Sequence, residues 1–403
     1  MKIAVIGGGA SGMMSAGVCA KNGNQVDLFE SNEKLGKKLF ITGKGRCNIT
    51  NNSTNEEFLE NVVNNNKFLY SSLNNFNCSD TIKFFNDLGL ETKVERGKRV
   101  FPCSDKSSDV IKTLERFLIK NKVNILLNSK VEEILIQDEK FIIKTNRSIY
   151  KDYDKVICCT GGKTYPATGS TGDGYKFANK FGHNITDIKP GLVPIILNDG
   201  YIKQIQGLSL KNVTLKSFVN GKPFKELFGE MLFTHNGISG PIALSMSSYI
   251  NKKENITLML DFKPALSDDK LTDRIKRDIQ ELYNSQVSTL LAGLLPKALV
   301  EIFLDKVKIP KDTKCKSLNI TQISSIVNLL KNFKLEYKSL ERIDFGIITS
   351  GGVNVKEINP KTMESKLVKN LYFAGEVIDV DALTGGFNLQ IAFSTGYTAG
   401  QIS

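Results

Sequence analysis

The first 30 residues constrain the fold of this chain more than any other stretch. The apolar run from Lys2 to Ile6 predicts a short buried strand, and the pattern GxGxxG follows at Gly7, Gly9 and Gly12. Gly7 allows a tight turn out of the strand, Gly9 lets a pyrophosphate approach the backbone, and Gly12 lets the next helix lie close to the sheet. The stretch therefore predicts a strand, a glycine turn and a helix in that order.

The residues that follow complete a dinucleotide-binding unit. A helix is expected over 10–21, and a second strand is expected over 26–29, ending at Glu30. The free N–H groups and the positive dipole end at the start of a helix favour a bound phosphate. Glu30 lies 18 residues after Gly12, where a carboxylate can accept hydrogen bonds from ribose hydroxyls. The sequence thus predicts a dinucleotide site at this end of the chain.

Composition favours a folded protein of two or three domains without a metal site. The chain has 403 residues, of which 41% are hydrophobic, enough for a substantial core. The N-terminus has no signal-peptide pattern, and no stretch approaches the 18 apolar residues of a membrane span. Seven scattered cysteines and only two histidines argue against a disulfide framework or a structural zinc. We therefore expect a cytoplasmic protein with reduced thiols.

The charge balance is basic but carries no recognisable nucleic-acid motif. Lys and Arg total 54 against 42 Asp and Glu, which gives a formal net charge of +12. Such a surface can attract nucleic acid or phosphorylated substrates. The lysines are spread along the chain, however, and no run of five cations occurs. A solvated basic surface is therefore the preferred interpretation, and nucleic acid is not the expected partner.

Later segments indicate that an insert interrupts the first domain. Strands are expected over 124–127, 131–136 and 140–145 as an antiparallel meander, and over 155–159 as a buried strand. Near Lys189 the pattern changes to alternating strands and then to helices. From residue 342 the alternation of strands, glycines and helices returns. The expected division is a discontinuous domain over 1–190 and 342–403, an inserted β domain over 191–264 and a helical subdomain over 265–341.

The C-terminal stretch narrows the ligand to a flavin. The segment NLYFAGE, 370–376, predicts a buried strand that ends at Gly375 and Glu376, and the next helix is expected to begin around 385–388. The strand end can meet a pyrophosphate or ribityl hydroxyls, and the helix start can stabilise negative charge on a reduced flavin. An interrupted dinucleotide fold that is completed at the C-terminus separates flavoproteins from ordinary NAD dehydrogenases. FAD is therefore the expected cofactor.

The chain also resembles a known family over nearly its whole length. The segments that carry the resemblance are VIGGGASG (5–12), TGKGRCNITN (42–51), KRVFP (98–102), TGG (160–162), GSTGDGY (169–175), GEMLFTHNGISGP (229–241), TSGGV (349–353), TMESK (362–366) and NLYFAGEVIDVDALTGGFNLQIAFSTGYTAG (370–400). They are similar to the bacterial flavoprotein family that includes aminoacetone oxidases and bile-acid-type enone reductases, often described as NAD(FAD)-utilising dehydrogenases. The resemblance implies an α/β fold with a Rossmann-like FAD-binding domain of glutathione-reductase type, and an inserted domain that is part β-barrel-like and part helical.

The resemblance also implies a role for individual positions. The ADP half of FAD is assigned to Gly9, Ala10, Ser11 and Glu30, and phosphate or ribose to Lys37 and Lys38. A loop beside the flavin contains Thr42, Gly43, Arg46 and Asn48, and the backbone of Val131 meets adenine. The strand beneath the cofactor ends at Thr160 and Gly161, while Gly375, Glu376, Asn388 and Leu389 approach the ribityl chain and the ring.

No catalytic residue is assigned from the sequence. His235 is a weak candidate for the proton donor, and a hydrogen bond within its own loop is the preferred alternative. Cys47 is a lone thiol that cannot form the intramolecular disulfide of two-cysteine reductases, so a packing role is preferred. His183 follows a glycine at a helix end and is expected as a cap or a surface residue. For Arg99, an anionic substrate and a structural ion pair both remain open.

The expected function is an FAD-dependent oxidoreductase that moves a hydride between flavin N5 and a small organic substrate. Two chemistries are open: reduction of a conjugated C=C bond with NAD(P)H as the donor, and oxidation of a small amine with oxygen as the acceptor. The sequence has no second GxGxxG unit for a nicotinamide, so any NAD(P)H visits the flavin transiently. The alternatives from other classes are a nucleic-acid-modifying or RNA-binding flavoprotein and a non-catalytic flavin redox sensor.

Overall fold

The computed structural model describes residues 1–402. They form two compact units, of which the first combines Met1–Gly191 with the C-terminal stretch from Ile343, and the second is Leu192–Arg342. Each unit has its own hydrophobic core. The described residues contain no helix that is long and apolar enough to cross a membrane.

The N-terminal part of the first unit alternates strands and helices. Its elements are β1 (Lys2–Ile6), α1 (Ala10–Lys21), β2 (Gln25–Phe29), α2 (Lys37–Ile41), β3 (Thr50–Asn51), α3 (Asn55–Glu60), β4 (Val62–Asn64), α4 (Tyr70–Asn75), α5 (Cys78–Asp87), β5 (Thr92–Glu95), β6 (Arg99–Pro102), α6 (Ser107–Lys120), β7 (Asn124–Leu126), β8 (Val131–Gln137), β9 (Lys140–Thr145), β10 (Ile149–Tyr153), β11 (Lys155–Cys158), α7 (Asp173–Lys180) and β12 (Lys189–Gly191).

The second unit is a sheet followed by helices, and the first unit resumes after it. The second unit contains β13 (Ile195–Leu197), β14 (Ser209–Val219), β15 (Lys222–Thr234), β16 (Gly237–Ser239), α8 (Pro241–Ile250), β17 (Ile256–Asp261), α9 (Asp268–Glu281), α10 (Val287–Leu294), α11 (Lys297–Val307), α12 (Ile320–Lys331), β18 (Phe333–Leu335) and β19 (Tyr337–Leu340). The C-terminal part of the first unit adds β20 (Ile348–Ser350), β21 (Leu371–Phe373), β22 (Asp381–Ala382) and α13 (Phe387–Gly400).

A five-stranded parallel sheet organises the first unit. Its strand order is β21-β11-β1-β2-β7, and every neighbouring pair is parallel. From β1 the chain proceeds to one side through β2 and β7, and it later returns to the other side through β11 and β21. The strand order therefore reverses next to β1, and in open α/β sheets a ligand binds outside the carboxyl ends of the strands at such a point.

One strand differs from the sequence-based expectation. Residues 124–127 were expected in an antiparallel meander, but β7 pairs in parallel with β2, and Asn124 donates a hydrogen bond to Asp27 Oδ1 at 2.7 Å. The meander consists of β8, β9 and β10. A three-residue apolar strand has the same local pattern in either setting, so only its tertiary partner decides where it pairs.

The second unit builds a seven-stranded sheet over a helical layer. The strand order is β18-β17-β14-β15-β16-β13-β19, so its two edge strands are successive in the chain and are separated by Glu336 alone. Aromatic residues join the sheet to the helices: the rings of Phe303 in α11 and Phe333 in β18 stack at 5.2 Å. Helix α8 lies within the stretch for which the sequence predicted alternating strands.

Helices α1 and α13 approach each other closely because glycines line the contact. A Cβ atom at Gly396 would lie 2.6 Å from the carbonyl oxygen of Ser11, and one at Gly400 would lie 2.9 Å from that of Ser15. Ser15 Oγ donates a hydrogen bond to the carbonyl oxygen of Gly396 at 2.9 Å. The glycine-rich face of the last helix therefore joins the two ends of the chain.

We expect Gly396→Ala to destabilise the protein by about 1 to 3 kcal/mol, because the added methyl group must push α13 away from α1. The matched control is Gly293→Ala, in the last turn of α10, where a Cβ meets no atom within 4 Å. That change should leave the stability unchanged or raise it by up to about 1 kcal/mol through helix propensity. Denaturant unfolding measures both variants, and equal effects would contradict the packing argument.

Candidate nucleotide-binding site

The glycine turn after β1 has the shape of a phosphate cradle. A Cβ at Gly7, whose φ is 103°, would lie 2.5 Å from the carbonyl oxygen of Cys159, and one at Gly12 would overlap the carbonyl oxygen of Gly7. At Gly9, by contrast, a Cβ meets no atom within 4 Å. No described side chain caps the start of α1. The turn therefore packs against the protein at Gly7 and Gly12 and leaves open space at Gly9. This space lies in front of the free N–H groups at the start of α1, where a pyrophosphate can bind.

Glu30 fixes this turn from the end of β2. Glu30 is 7% exposed. Its Oε2 accepts a hydrogen bond from the Gly8 N–H at 2.8 Å, and its Oε1 accepts from the backbone and side-chain N–H groups of Asn32 at 2.8 and 2.6 Å. The acid therefore positions the glycine turn and the loop after β2 together. Its expected bonds to ribose hydroxyls stay a prediction.

Two further loops flank Glu30. The Ser129 N–H donates to the carbonyl oxygen of Glu30 at 2.8 Å, and Val131 begins β8 two residues later. Asn32 Nδ2 donates to the carbonyl oxygen of Thr168 at 3.1 Å. These bonds bring the start of the meander and the loop after β11 next to the acid. The role expected for the backbone of Val131 toward adenine stays a prediction.

The two lysines expected to meet phosphate or ribose have different partners. Lys37 Nζ lies 2.8 Å from Glu33 Oε2, one turn back along the chain. Lys38 Nζ lies 2.6 Å from Glu376 Oε2, 2.9 Å from Glu376 Oε1 and 2.7 Å from Thr164 Oγ1. Only Lys38 thus brings together residues from distant parts of the chain.

The end of β21 meets the start of α1. A Cβ at Gly375 would overlap Ser11 Oγ, and the Gly375 N–H donates to Thr395 Oγ1 at 3.0 Å. The next residue, Glu376, accepts a hydrogen bond at Oε1 from the Thr349 N–H at 2.8 Å. Gly375, Glu376 and Ser11, all expected at the site from the sequence, therefore lie close together.

Arg46 in the 42–48 loop is committed to carboxylates. Its guanidinium lies 2.5 Å from Glu95 Oε1 and 2.5 Å from Asp105 Oδ1, and its centre is 4.1 Å from the centroid of the Phe101 ring. Hydrogen bonds from Arg46 hold the pKa of Glu95 below its usual value. Arg46 therefore ties the loop to β5 and β6. In the same loop, Thr42 Oγ1 donates to the carbonyl oxygen of Leu39 at 2.7 Å.

Among the residues that the sequence predicted at this site, two have a buried polar atom without a hydrogen-bond partner among the described residues. These atoms are Asn48 Oδ1 and Thr160 Oγ1. A Cβ at Gly386, just before α13, would lie 3.0 Å from Asn48 Oδ1, so the amide faces the start of that helix. Gly161, with φ of 73°, turns the chain immediately after Thr160. Buried polar atoms are normally satisfied, and hydroxyl or amide groups of a bound molecule would satisfy these two, so the site fits a polar, elongated cofactor.

The start of α13 is fixed to its surroundings through side chains. Asn388 accepts a hydrogen bond from the Ala382 N–H at 3.0 Å and donates to the carbonyl oxygen of Ala382 at 2.8 Å. Thr50 Oγ1 donates to Gln390 Oε1 at 2.5 Å. The Asn388 side chain therefore holds β22, while Leu389 is half-buried beside it. No described side chain caps the start of α13.

The weaker sequence candidates occupy varied positions. Cys47 is fully buried with φ of 59°, and burial raises the pKa of its thiol to about 12 against a lowering hydrogen bond from Thr42. The reactive form of a cysteine is the thiolate, so the packing role is favoured. Arg99 is exposed and donates from Nε to the carbonyl oxygen of Arg96 at 3.0 Å. His235 is exposed in the turn between β15 and β16 of the second unit.

His183 was expected as a cap or a surface residue. Its backbone does cap a helix, but its side chain does not lie at the surface. Its N–H closes the end of α7 by donating to the carbonyl oxygen of Ala178 at 3.0 Å. The ring is buried, with Nδ1 3.1 Å from Glu357 Oε2 and Nε2 2.8 Å from Ser365 Oγ. The local sequence does not show the distant residues 357 and 365 that surround the imidazole.

Sequence reasoning also missed residues that complete the site. Thr164 and Thr349 both contact the Lys38–Glu376 pair, and Asn32 completes the shell around Glu30. Thr349 lies in TSGGV and Thr164 follows TGG, two segments that carried the family resemblance. The position of Thr349 in one such segment, and of Thr164 just after another, was the available signal.

A glycine cradle at the reversal point of a parallel sheet, closed by the C-terminal strand and helix, defines a Rossmann-type dinucleotide-binding fold. The chain belongs to the HI0933-like family, whose model for the HI0933-like protein Rossmann domain matches residues 1–402.

Relatives of known activity match over almost the whole chain. The 3-dehydro-bile acid delta(4,6)-reductase of Clostridium scindens is 30% identical over 406 residues, which cover 99% of this chain and 98% of the relative. The ribosomal RNA dihydrouridine synthases of Haemophilus influenzae and Escherichia coli are each 31% identical over 400 residues, which cover 98% of this chain and 96% of theirs.

The fold is also similar to a solved structure. The 3-ketosteroid delta1-dehydrogenase from Sterolibacterium denitrificans, in complex with 1,4-androstadiene-3,17-dione, superposes with a TM-score of 0.51 at 13% identity, covering 99% of this chain and 98% of that one. This likeness concerns the fold.

We expect one rapidly reacting thiol in the native protein. Cys103 is exposed and the other six cysteines are buried, so a thiol reagent at neutral pH should titrate one group quickly. Cys103→Ser should abolish this phase and Cys47→Ser should leave it intact. Loss of the rapid phase in Cys47→Ser would show that its thiol is accessible and reactive.

We expect His183 to make stability dependent on pH. Burial lowers the pKa of its imidazole, and Glu357 only partly offsets this effect. The unfolded histidine binds a proton near pH 6.5, before the folded one does, so stability falls as the pH decreases from about 7 to about 5. His183→Gln should flatten this dependence in denaturant titrations, whereas His235→Gln, at an exposed position, should retain the wild-type slope. Equal slopes in wild type and His183→Gln would contradict the assignment.

Proposed function

We propose that this protein reduces a C=C bond conjugated to a carbonyl group, with FAD as the cofactor and NAD(P)H as the electron donor. The observation that carries the proposal is the full-length similarity to two kinds of relative. One is named as a delta(4,6)-reductase of 3-dehydro bile acids, and the other as a synthase of dihydrouridine. Forming dihydrouridine saturates the 5,6 bond of uracil, which is conjugated with its C4 carbonyl, so both names describe the same bond chemistry.

The residues expected from the sequence fit this cofactor, with two exceptions. Lys37 and Arg46 are engaged by carboxylates outside the expected site, whereas Lys38 pairs with Glu376 inside it. We therefore propose no direct contact with FAD for Lys37 and Arg46. We propose that the following residues hold FAD: Gly7, Gly9, Ala10, Ser11, Gly12, Glu30, Thr42, Gly43, Asn48, Val131, Thr160, Gly161, Gly375, Glu376, Asn388 and Leu389. Lys38 belongs to the same site through its ion pair with Glu376. When bound, FAD supplies a two-electron carrier that accepts a hydride from NAD(P)H and gives it to the substrate.

The starts of two helices are expected to stabilise negative charge on the bound cofactor. The uncapped starts of α1 and α13 both present free N–H groups and a positive dipole end. The start of α1 would stabilise the phosphate charge of FAD, and the start of α13 would stabilise the negative charge of the reduced flavin. In the overall reaction the β carbon of the substrate receives the hydride and the α carbon receives a proton. His235, in the segment GEMLFTHNGISGP, stays only the weak candidate for that proton donor that the sequence offers, and a hydrogen bond within its own loop stays the preferred alternative.

A second candidate function is reduction of uridine in ribosomal RNA. Two relatives that carry this name are as similar to the chain as the bile-acid reductase is. The second unit, 192–342, also contains 22 Lys and Arg against 15 Asp and Glu, an excess that favours a polyanion. A small organic substrate remains the first candidate. Amine oxidation with oxygen as the acceptor is less favoured, because both kinds of relative are named for reductions.

Three further expectations accompany the proposal. We propose a cytoplasmic location, which the seven free cysteines support. The division of the insert at residue 264 into a β domain and a helical subdomain also remains a proposal. The barrel-like form of its sheet is supported by the two edge strands, which only Glu336 separates.

Anaerobic mixing with NADH and NADPH tests the chemistry. We expect the purified protein to be yellow and its flavin absorbance to be bleached by one of these donors. A bile acid with a conjugated 3-oxo-4,6-diene should then restore the colour, while the saturated 3-oxo analogue should not. Bleaching by a small amine but by neither nicotinamide would overturn the proposal.

The ribosomal RNA alternative has a separate measurement. Mass spectrometry of ribosomal RNA from cells that lack the gene would show loss of dihydrouridine if the second candidate is correct. Unchanged dihydrouridine, together with turnover of the conjugated bile acid, would eliminate it.

A further inference from the structure

The two adjacent lysines at the start of α2 differ in what they neutralise. Lys37 pairs with Glu33, whose side chain is 58% exposed. Lys38 pairs with Glu376, and both of these side chains are largely buried, at 22% and 23% exposure. An exposed pair is screened by water and contributes little. Lys37 is itself only 25% exposed, so the two pairs differ mainly in the acid, which is exposed in Glu33 and largely buried in Glu376.

The Glu376 carboxylate is held from several sides. Lys38 Nζ contacts both of its oxygens, and the Thr349 N–H donates to Oε1 at 2.8 Å. Gly162 lies against the same oxygen, because a Cβ there would be 2.7 Å from Oε1. Thr164 Oγ1 accepts a further hydrogen bond from Lys38 at 2.7 Å. The pair is thus a fixed unit in which neither charge can turn away to solvent without breaking other contacts.

The position of this unit relates it to the cofactor site. Glu376 follows β21 at the carboxyl-end edge of the parallel sheet, where ligands bind in folds of this class. The preceding residue, Gly375, touches Ser11 at the start of α1. A charge at this edge acts on any electron that arrives at the ligand, because low-dielectric surroundings strengthen electrostatic interactions.

We propose that Lys38 is a positioning residue that sets the reduction potential of the bound flavin through Glu376. This inference rests on the proposed function, since it requires FAD in the site. Lys38 cancels the negative charge of Glu376, so that two added electrons do not meet an uncompensated carboxylate. Removing Lys38 leaves that carboxylate unpaired and makes the reduced cofactor less favourable than the oxidised one.

The test compares reduction potentials in purified holoprotein by equilibration with a reference dye. Lys38→Met should disfavour reduced FAD about tenfold relative to oxidised FAD, which lowers the two-electron potential by about 30 mV. Glu376→Gln should shift the potential in the opposite direction, because it leaves Lys38 as an uncompensated cation. The double variant should return close to the wild-type value. The matched control is Lys83→Met, which removes a lysine from an exposed pair with Asp87 and should not change the potential.

Potential shifts of opposite sign in Lys38→Met and Glu376→Gln distinguish an electrostatic role of Lys38 from a structural one. A merely structural role would move both single variants in the same direction, or neither, and that result would overturn the inference. If Lys38→Met does not fold, Glu376→Gln and the double variant still test the inference. The inference requires the reduction potential of the double variant to be lower than that of Glu376→Gln. A wild-type protein without FAD would refute the proposed function, whereas an FAD-containing protein with unchanged potentials would refute only the role of Lys38.

Discussion

The close contact between α1 and α13 is the interaction on which the rest of the first unit depends. Gly396 and Gly400 remove the side chains that would hold the helices apart, and Ser15 bonds across the contact to a backbone carbonyl. The contact joins residues separated by about 380 positions, so it spans the whole insert. Because it places β21 and α13 beside the glycine turn, the site cannot be completed until both ends of the chain have folded together.

Charge compensation determines how the loops around the sheet edge are arranged. Glu30 is buried, and neutral N–H groups satisfy it, which lets it organise the glycine turn without a cation. Glu376 is instead paired with Lys38. Arg46 pairs outward with Glu95 and Asp105, which fixes the 42–48 loop. Glu30, Glu376, Glu95 and Asp105 each have defined partners, whereas Asn48 Oδ1 and Thr160 Oγ1 are buried without a hydrogen-bond partner among the described residues.

The proposed chemistry is common to two kinds of relative whose names refer to very different substrates. A conjugated carbonyl activates a C=C bond toward hydride addition in a steroid-like bile acid and in uracil alike. The FAD-binding unit needs to supply only the hydride and the setting for its charge. The second unit differs from the first in sheet type and in its excess of basic residues. Fold alone does not identify the substrate, because one fold supports many functions.

The sequence alone determined the local parts of this protein. The glycine turn, the acid after β2 and the glycine-rich last helix follow from short-range spacing, since each requires particular residues at fixed offsets. Tertiary structure decided which distant residues meet. The sequence placed residues 124–127 in a meander, but β7 pairs with β2, because a short apolar strand takes its partner from the fold. The sequence likewise assigned Lys37 and Lys38 the same role. Only the tertiary structure distinguishes them, because it brings Glu376, 338 residues away in the chain, next to Lys38. Electrostatic partners are determined by distance in space and not by distance along the chain.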